Sequence, residues 1–166
     1  MKHGAEAMIQ ICFVCLGNIC RSPTAEAVMQ KLITDASLST LITVDSAGIA
    51  GYHAGENADT RTRETAKTFG FHIDQRARQF APEDLDRFDY VIAMDRSNLK
   101  ALERLSHLTH HRSKLYLLRH FDPEAGQHID VPDPYYGGDD GFRHVLNICI
   151  RSCQGLLTHL RTTHDL

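Results

Sequence analysis

The strongest constraint on the fold of this chain is the stretch Val14-Cys15-Leu16-Gly17-Asn18-Ile19-Cys20-Arg21-Ser22-Pro23, which follows the apolar run Ile9-Gln10-Ile11-Cys12-Phe13-Val14. An apolar run, a short polar loop and a helix-start signal in succession read as a strand that turns into a helix. Gly17 and Asn18 are residue types that tolerate left-handed backbone angles, and such angles curl successive N–H groups around an anion. Ser22 suits an N-cap and Pro23 the first helical position. Beyond them Ala25, Val28, Met29, Leu32 and Ile33 recur at helical spacing as one apolar stripe. The helix start adds unpaired N–H donors and a partial positive charge, so the loop reads as an anion cradle.

The cradle carries a nucleophile. A helix N-terminus and a neighbouring arginine both favour the thiolate form of a cysteine, so Cys15 is expected to attack without a separate base. Arg21 offers a planar fork of donors that matches two phosphate oxygens. It can hold them through phosphoryl transfer, where positioning and charge stabilisation do most of the catalysis. Ser22 is placed to donate its hydroxyl to Cys15, and Asn18 to brace the loop. The reaction also needs an acid for the leaving oxygen. Asp133, in Val131-Pro132-Asp133-Pro134-Tyr135-Tyr136, is the candidate, because prolines on both sides pin its backbone.

The segment from Cys15 to Pro23 resembles the signature loop of the low-molecular-weight protein tyrosine phosphatases. The similarity continues in Asp45-Ser46-Ala47-Gly48, in Ala77-Arg78-Gln79, from Phe88 through Leu99, and in Asp133-Pro134-Tyr135-Tyr136-Gly137; it spans about residue 8 to residue 160. The resemblance implies catalysis by Cys15, Arg21 and Asp133 through a phosphocysteine intermediate, with neither a cofactor nor a metal. It places Leu16, Gly17, Asn18, Ile19, Cys20 and Ser22 around the phosphate. It also makes Leu16, Ile19, Tyr52 and Tyr135 the walls of a slot for a phenyl ring. The implied substrates are phosphotyrosine-containing proteins or peptides and aryl phosphates. A related branch that hydrolyses phosphoarginine carries threonine where this chain has Ile19. The resemblance further implies that Cys20 is a redox partner able to bond Cys15, and that His72 braces the cradle. Arsenate reductases share the fold and a similar loop, but they relay a disulfide through further thiols, and no cysteine occurs here between Cys20 and Cys149.

The other cysteines read as packing residues. Cys149 and Cys153 fall on the stripe Phe142, Val145, Leu146, Cys149, Cys153, Leu156, Leu157, Leu160 of a long helix, and Cys12 falls within the first strand. Among eleven histidines, the tightest group, His107, His110 and His111, does not repeat an i, i+4 ligand pair with a carboxylate motif and is expected to be solvated.

With 166 residues, one domain is expected over residues 8–166, preceded by an N-terminal extension over residues 1–7. That extension lacks the apolar core of a secretory signal, so a cytoplasmic location with reduced thiols is expected. The net charge of −3 argues against a nucleic-acid partner, and no apolar run reaches membrane-spanning length. The chain is expected to be a monomer or to self-associate weakly. Strands are predicted at 10–14, 42–45, 90–94 and 114–118, and helices at 23–36, 60–69, 97–105 and 141–160. Their alternation predicts an α/β fold, a doubly wound, flavodoxin-like, four-stranded parallel sheet with helices on both faces. The cradle would then sit at the carboxyl end of the first strand, bordered by the irregular stretches 53–59 and 121–141. The rival reading is a phosphate-binding module without turnover, in which Tyr135 and Tyr136 are themselves phosphorylated and recruit partners.

Overall fold

Strand β1 (Ile9–Cys15) runs through the middle of the molecule, and Ile11, Cys12, Phe13 and Val14 on it are fully buried. Burial of consecutive residues requires that both faces of the sheet be covered. The computed structural model describes residues 8–136 and 138–166; the expected extension over residues 1–7, the side chain of Tyr136 and residue Gly137 lie outside the described part. After β1 come α1 (Arg21–Asp35), β2 (Ile42–Gly48), α2 (Thr60–Thr68), the short α3 (Asp84–Arg87), β3 (Tyr90–Ala93) and α4 (Arg96–Leu105). The single-turn α5 (Thr109–Arg112), β4 (Leu115–Leu117) and the long α6 (Asp139–His164) follow, with 3-10 turns at Leu118–Phe121 and Pro134–Tyr136 between the last two.

All strand pairs are parallel and the order is β2-β1-β3-β4, the doubly wound arrangement that the alternation predicts. Ile9, Ile11, Phe13 and Cys15 point to the face covered by α1 and α6, where they pack with Val28, Met29, Ile33, Leu146, Cys149, Cys153 and Leu156. Cys12 and Val14 point to the opposite face, against Phe80, Leu85, Phe88 and Leu102. The three cysteines read as packing residues are therefore core residues. The chain leaves β1 toward β2 on one side and occupies β3 and β4 on the other. The crevice above the carboxyl ends of β1 and β3 is the switch point where such sheets bind ligands.

Local differences from the sequence reading have physical reasons. Helix α1 starts at Arg21 and its N-cap position, Cys20, makes no capping bond. Ser22 is not a cap; it lies inside the first turn with its hydroxyl turned toward Cys15. Strand β2 extends to Gly48 because its pairing with β1 continues until Cys15 lies opposite Gly48. A Cβ on Gly48 would lie 2.9 Å from the Leu16 carbonyl oxygen and 3.1 Å from that of Ala50, so the cradle backbone rests directly on β2. Helix α4 starts at Arg96 because Asp95 caps it, accepting from the Asn98 N–H at 2.7 Å. No helix among the described residues is long and apolar enough to cross a membrane.

Candidate active site

The loop between β1 and α1 is held from within. Asn18 adopts φ +57°, the left-handed region that asparagine tolerates. This turn aims its N–H at the Cys15 sulfur, 3.2 Å away. The Asn18 side chain is fully buried. Its Nδ2 donates to Ser22 Oγ at 2.8 Å and to Ser46 Oγ at 2.9 Å, and its Oδ1 accepts from the Arg78 N–H at 3.0 Å. One asparagine thus ties α1, β2 and the segment after α2 to the same point. Ser22 Oγ lies 3.0 Å from Cys15 Sγ. Because that oxygen already accepts from Asn18, its own proton is free for the sulfur; the alternative acceptor, the Ala47 carbonyl, is 3.5 Å away. Gly17 works differently from the sequence expectation. Its φ is not left-handed, and its missing side chain makes room for His53, whose Cδ2 would lie 3.0 Å from a Cβ there.

Behind the brace, Glu26 on α1 lies near Ser46 and Asp45. Burial, and then the nearby Asp45, push the Glu26 carboxyl up to about 7.

Arg21 is buried beneath the loop. Its Nη1 donates to Asp95 Oδ2 at 2.6 Å and to the Val131 carbonyl at 3.0 Å. Its Nη2 lies 3.8 Å from Asp133 Oδ2. Burial works against the guanidinium charge, but the facing Cys15, Asp95 and Asp133 outweigh it and hold the group above its ordinary value. Asp133 stands at the rim, partly exposed, with its Oδ1 accepting from the Tyr135 N–H at 3.0 Å. The turn after Pro132 therefore fixes one carboxylate oxygen and leaves the other over the cradle.

Between these groups lies a cavity of about 190 Å³ lined by Cys15, Leu16, Gly17, Ile19, Cys20, Arg21, Tyr52, His53, Asp133 and Tyr135. Leu16, Tyr52 and Tyr135 stand exposed at its mouth, and Asn18 and Ser22 are buried behind it. The structure so brings together every candidate residue named from the sequence apart from His72. That side chain is 84% exposed and faces only Asp74, at 3.8 Å, so it does not brace the cradle; Ser46 and the Arg78 backbone do. Burial pushes the Cys20 thiol up to about 12, so it is protonated at neutral pH.

Sequence reasoning missed Asp95, Ser46 and His53. Asp95 had a signal, since it follows a predicted strand and starts a helix with Asn98 three residues on. His53 had none. Its Nδ1 meets Glu56 Oε2 at 2.6 Å, and only the fold brings it against Gly17. His110 is exposed as expected, whereas His111 differs from expectation. His111 is buried, its Nε2 lies 2.7 Å from Asp86 Oδ1, and Asp86, His110 and His111 form a group with ligand atoms within 4.8 Å of one another. A hydrogen bond accounts for the closest contact. His111 Nδ1 is buried without a partner among the described residues, whereas a metal-bound imidazole ordinarily donates its second N–H to an acceptor. The group lies on α3 and α5, outside the cavity lining.

Known proteins match nearly the whole chain. The family model of the low molecular weight phosphotyrosine protein phosphatases matches residues 10–165. A low molecular weight protein-tyrosine-phosphatase of Streptomyces coelicolor is 47% identical over 153 residues, which cover 92% of this chain and 93% of that protein. The Homo sapiens low molecular weight phosphotyrosine protein phosphatase is 42% identical over 153 residues, covering 92% and 96%. The crystal structure of a protein tyrosine phosphatase from Entamoeba histolytica with Hepes in the active site superposes with a TM-score of 0.90 at 38% identity, covering 94% of this chain and 99% of that one. Taken with the cradle, the buried arginine and the aspartate over one cavity, these matches establish that the chain belongs to the low molecular weight phosphotyrosine protein phosphatases, a family of cysteine-based protein-tyrosine phosphatases.

Proposed function

We propose that the chain hydrolyses phosphotyrosine in proteins or peptides, and simple aryl phosphates, through a phosphocysteine intermediate on Cys15. The observation that carries this reading is the convergence of Cys15, Arg21 and Asp133 on one cavity, with Asn18 N–H and Ser22 Oγ already directed at the sulfur. The Cys15 thiolate attacks phosphorus while the ester P–O bond breaks, and Asp133 gives its proton to the leaving phenol oxygen. Water then attacks phosphorus, Asp133 takes the proton back, and the S–P bond breaks to return thiolate and phosphate. Ser22 supports the thiolate as it leaves, and Arg21 holds two phosphate oxygens throughout. The apolar faces of Leu16, Ile19, Tyr52 and Tyr135 suit a ring. The tyrosyl side chain is long enough to carry its phosphate to Cys15, so phosphotyrosine is favoured over phosphoserine and, with Ile19 in place, over phosphoarginine. All five cysteines are free thiols, which fits action in the reducing cytoplasm.

The test is p-nitrophenyl phosphate hydrolysis with reductant and chelator present, followed by acid quench and phosphorus NMR of the enzyme. Turnover that disappears in Cys15→Ser, with a thiophosphate signal trapped in the wild type, supports the reading. Turnover that persists in Cys15→Ser rejects it. Faster release of phosphate from phosphoarginine than from phosphotyrosine peptides would overturn the substrate assignment alone.

A further inference from the structure

The proton donor sits on an irregular segment tied to the rest of the molecule through Arg21 and Val131 and, by a separate route, through a residue outside the cavity. Arg61 lies in the first turn of α2. Its guanidinium is gripped by the Asp59 carboxylate, with Nε 3.4 Å from Oδ1 and Nη2 3.3 Å from Oδ2. The same carboxylate caps α2 by accepting from the N–H groups of Arg61 and Thr62, at 2.9 and 3.3 Å. Nη2 also donates to the carbonyl of Tyr135 at 3.3 Å. The guanidinium carbon stands 4.6 Å from the ring centroid of Phe142 on α6 and 5.7 Å from that of Tyr135.

These contacts join into one chain. The Asp59 N–H donates to the Ile19 carbonyl of the cradle at 2.8 Å. Asp59 holds Arg61, Arg61 holds the carbonyl of Tyr135, and the Tyr135 N–H holds Asp133 Oδ1 at 3.0 Å. Nucleophile loop and acid loop are thus linked by a route that crosses α2 and does not pass through Arg21. A planar, five-donor group that stacks on aromatic faces suits such a junction, and a lysine does not reproduce it.

We infer that Arg61 is a positioning residue for the general acid: through Tyr135 it holds the Pro134–Tyr136 turn so that Asp133 keeps its place over the leaving oxygen. The inference rests on the assignment of Asp133 as the acid. It predicts a defect in both proton transfers of Asp133. The first step is read by kcat/KM, and there good leaving groups need little protonation, so Arg61→Ala should slow them slightly; the second step, in which Asp133 accepts a proton from water, is slowed equally for every substrate. In kcat/KM, poor leaving groups, such as unsubstituted phenolate, should slow about tenfold, a part of the roughly 10²–10⁴-fold that general acids contribute.

The experiment measures kcat and KM for a series of aryl phosphates of increasing leaving-group pKa, in wild type, Arg61→Ala, Arg61→Lys, Asp133→Asn and the double variant Arg61→Ala/Asp133→Asn. The expected result is a steeper dependence of kcat/KM on leaving-group pKa in Arg61→Ala, with partial rescue in Arg61→Lys. In the double variant the loss should not exceed that of Asp133→Asn alone, the signature of two residues acting as a unit. A uniform loss of kcat/KM across the series, or full additivity with Asp133→Asn, would make Arg61 a merely structural residue of α2 and overturn the inference. If Asp133→Asn itself leaves the leaving-group dependence unchanged, the acid assignment fails first and the inference goes with it. Should Arg61→Ala fail to fold, Arg61→Gln carries the same comparison.

Discussion

Arg21 and Asp95 are 74 positions apart in sequence and 2.6 Å apart in space. Arg21 opens α1 after β1, and Asp95 caps α4 after β3, so the contact spans the two adjacent strands whose ends form the crevice. One oxygen of Asp95 caps its own helix and the other holds the Arg21 guanidinium. Asp95→Ala should therefore release Arg21 without touching the cradle. Removing one partner of a buried pair leaves the other charge uncompensated, and misaimed stabilisation of a developing anion costs roughly 10–100-fold in kcat/KM. Steady-state kinetics on an aryl phosphate checks this. A wild-type rate would mean that the Val131 carbonyl suffices to hold the guanidinium.

Asn18 combines a left-handed backbone with three side-chain hydrogen bonds, and two substitutions separate these contributions. Asn18→Gly keeps the backbone and loses the brace; Asn18→Ala loses the brace and adds strain of about 1–2 kcal/mol. Both should lower kcat to a similar extent, because the brace that orients Ser22 and the loop is gone from each. Thermal unfolding should place Asn18→Ala below Asn18→Gly. Equal melting temperatures would show that the loop relaxes out of the left-handed turn.

Glu26 gives the fold a pH dependence of a particular sign. Its carboxyl is held up at about 7 by burial and by Asp45, above its value in the unfolded chain. Between the two values the folded state binds more protons, so stability falls as pH rises from roughly 4.5 to about 7. Glu26→Gln should raise the melting temperature at about pH 8, by an amount equivalent to ~1 kcal/mol or more, and leave it nearly unchanged at about pH 4. A variant whose melting curve tracks the wild type at both pH values would rule out the carboxyl as the titrating group.

Cys20 lines the same cavity as Cys15, but burial holds its thiol up at about 12. If it is the redox partner of Cys15, it must respond as a neutral thiol, and ring closure after oxidation should be slow, since the thiolate is the attacking species. Peroxide inactivation should be recoverable by dithiothreitol in the wild type and markedly less so in Cys20→Ser, where the oxidised sulfur proceeds toward irreversible acids. Equal recovery in the two proteins would remove the protective role.

The sheet was legible from the sequence because its strands are buried on both faces. Continuous apolar runs such as Ile11 to Val14 leave few alternatives, and glycine, serine and proline mark where they stop. The cradle was legible for a different reason. Its cysteine, arginine and serine lie within eight residues, Cys15 to Ser22, so spacing alone brings them to one loop. What spacing does not carry is contact between distant segments. Asp95, Ser46 and the backbone of Arg78 reach the loop only when β2, β3 and the stretch after α2 have been set beside β1. Ser22 was misread as a cap because a serine before proline suits that role locally, whereas the sulfur and Asn18 claim its hydroxyl in the fold. His72 fails as a brace because the chain after Gly70 carries it into solvent, and His111 is buried because Asp86, on another element, meets it.

The rest of the cradle backbone on Gly48 has a consequence beyond packing. The loop takes its shape from backbone contacts with β2 and from the buried side chains of Asn18, Ser22 and Arg21, while the walls of the slot, Leu16, Tyr52 and Tyr135, project outward from that frame into solvent. The buried frame and the exposed walls are thus different side chains that meet at the acid loop, where Tyr135 borders the slot and its N–H holds Asp133. Divergence, whether natural or by directed evolution, can rework the side chains of the rim one residue at a time and keep the buried frame.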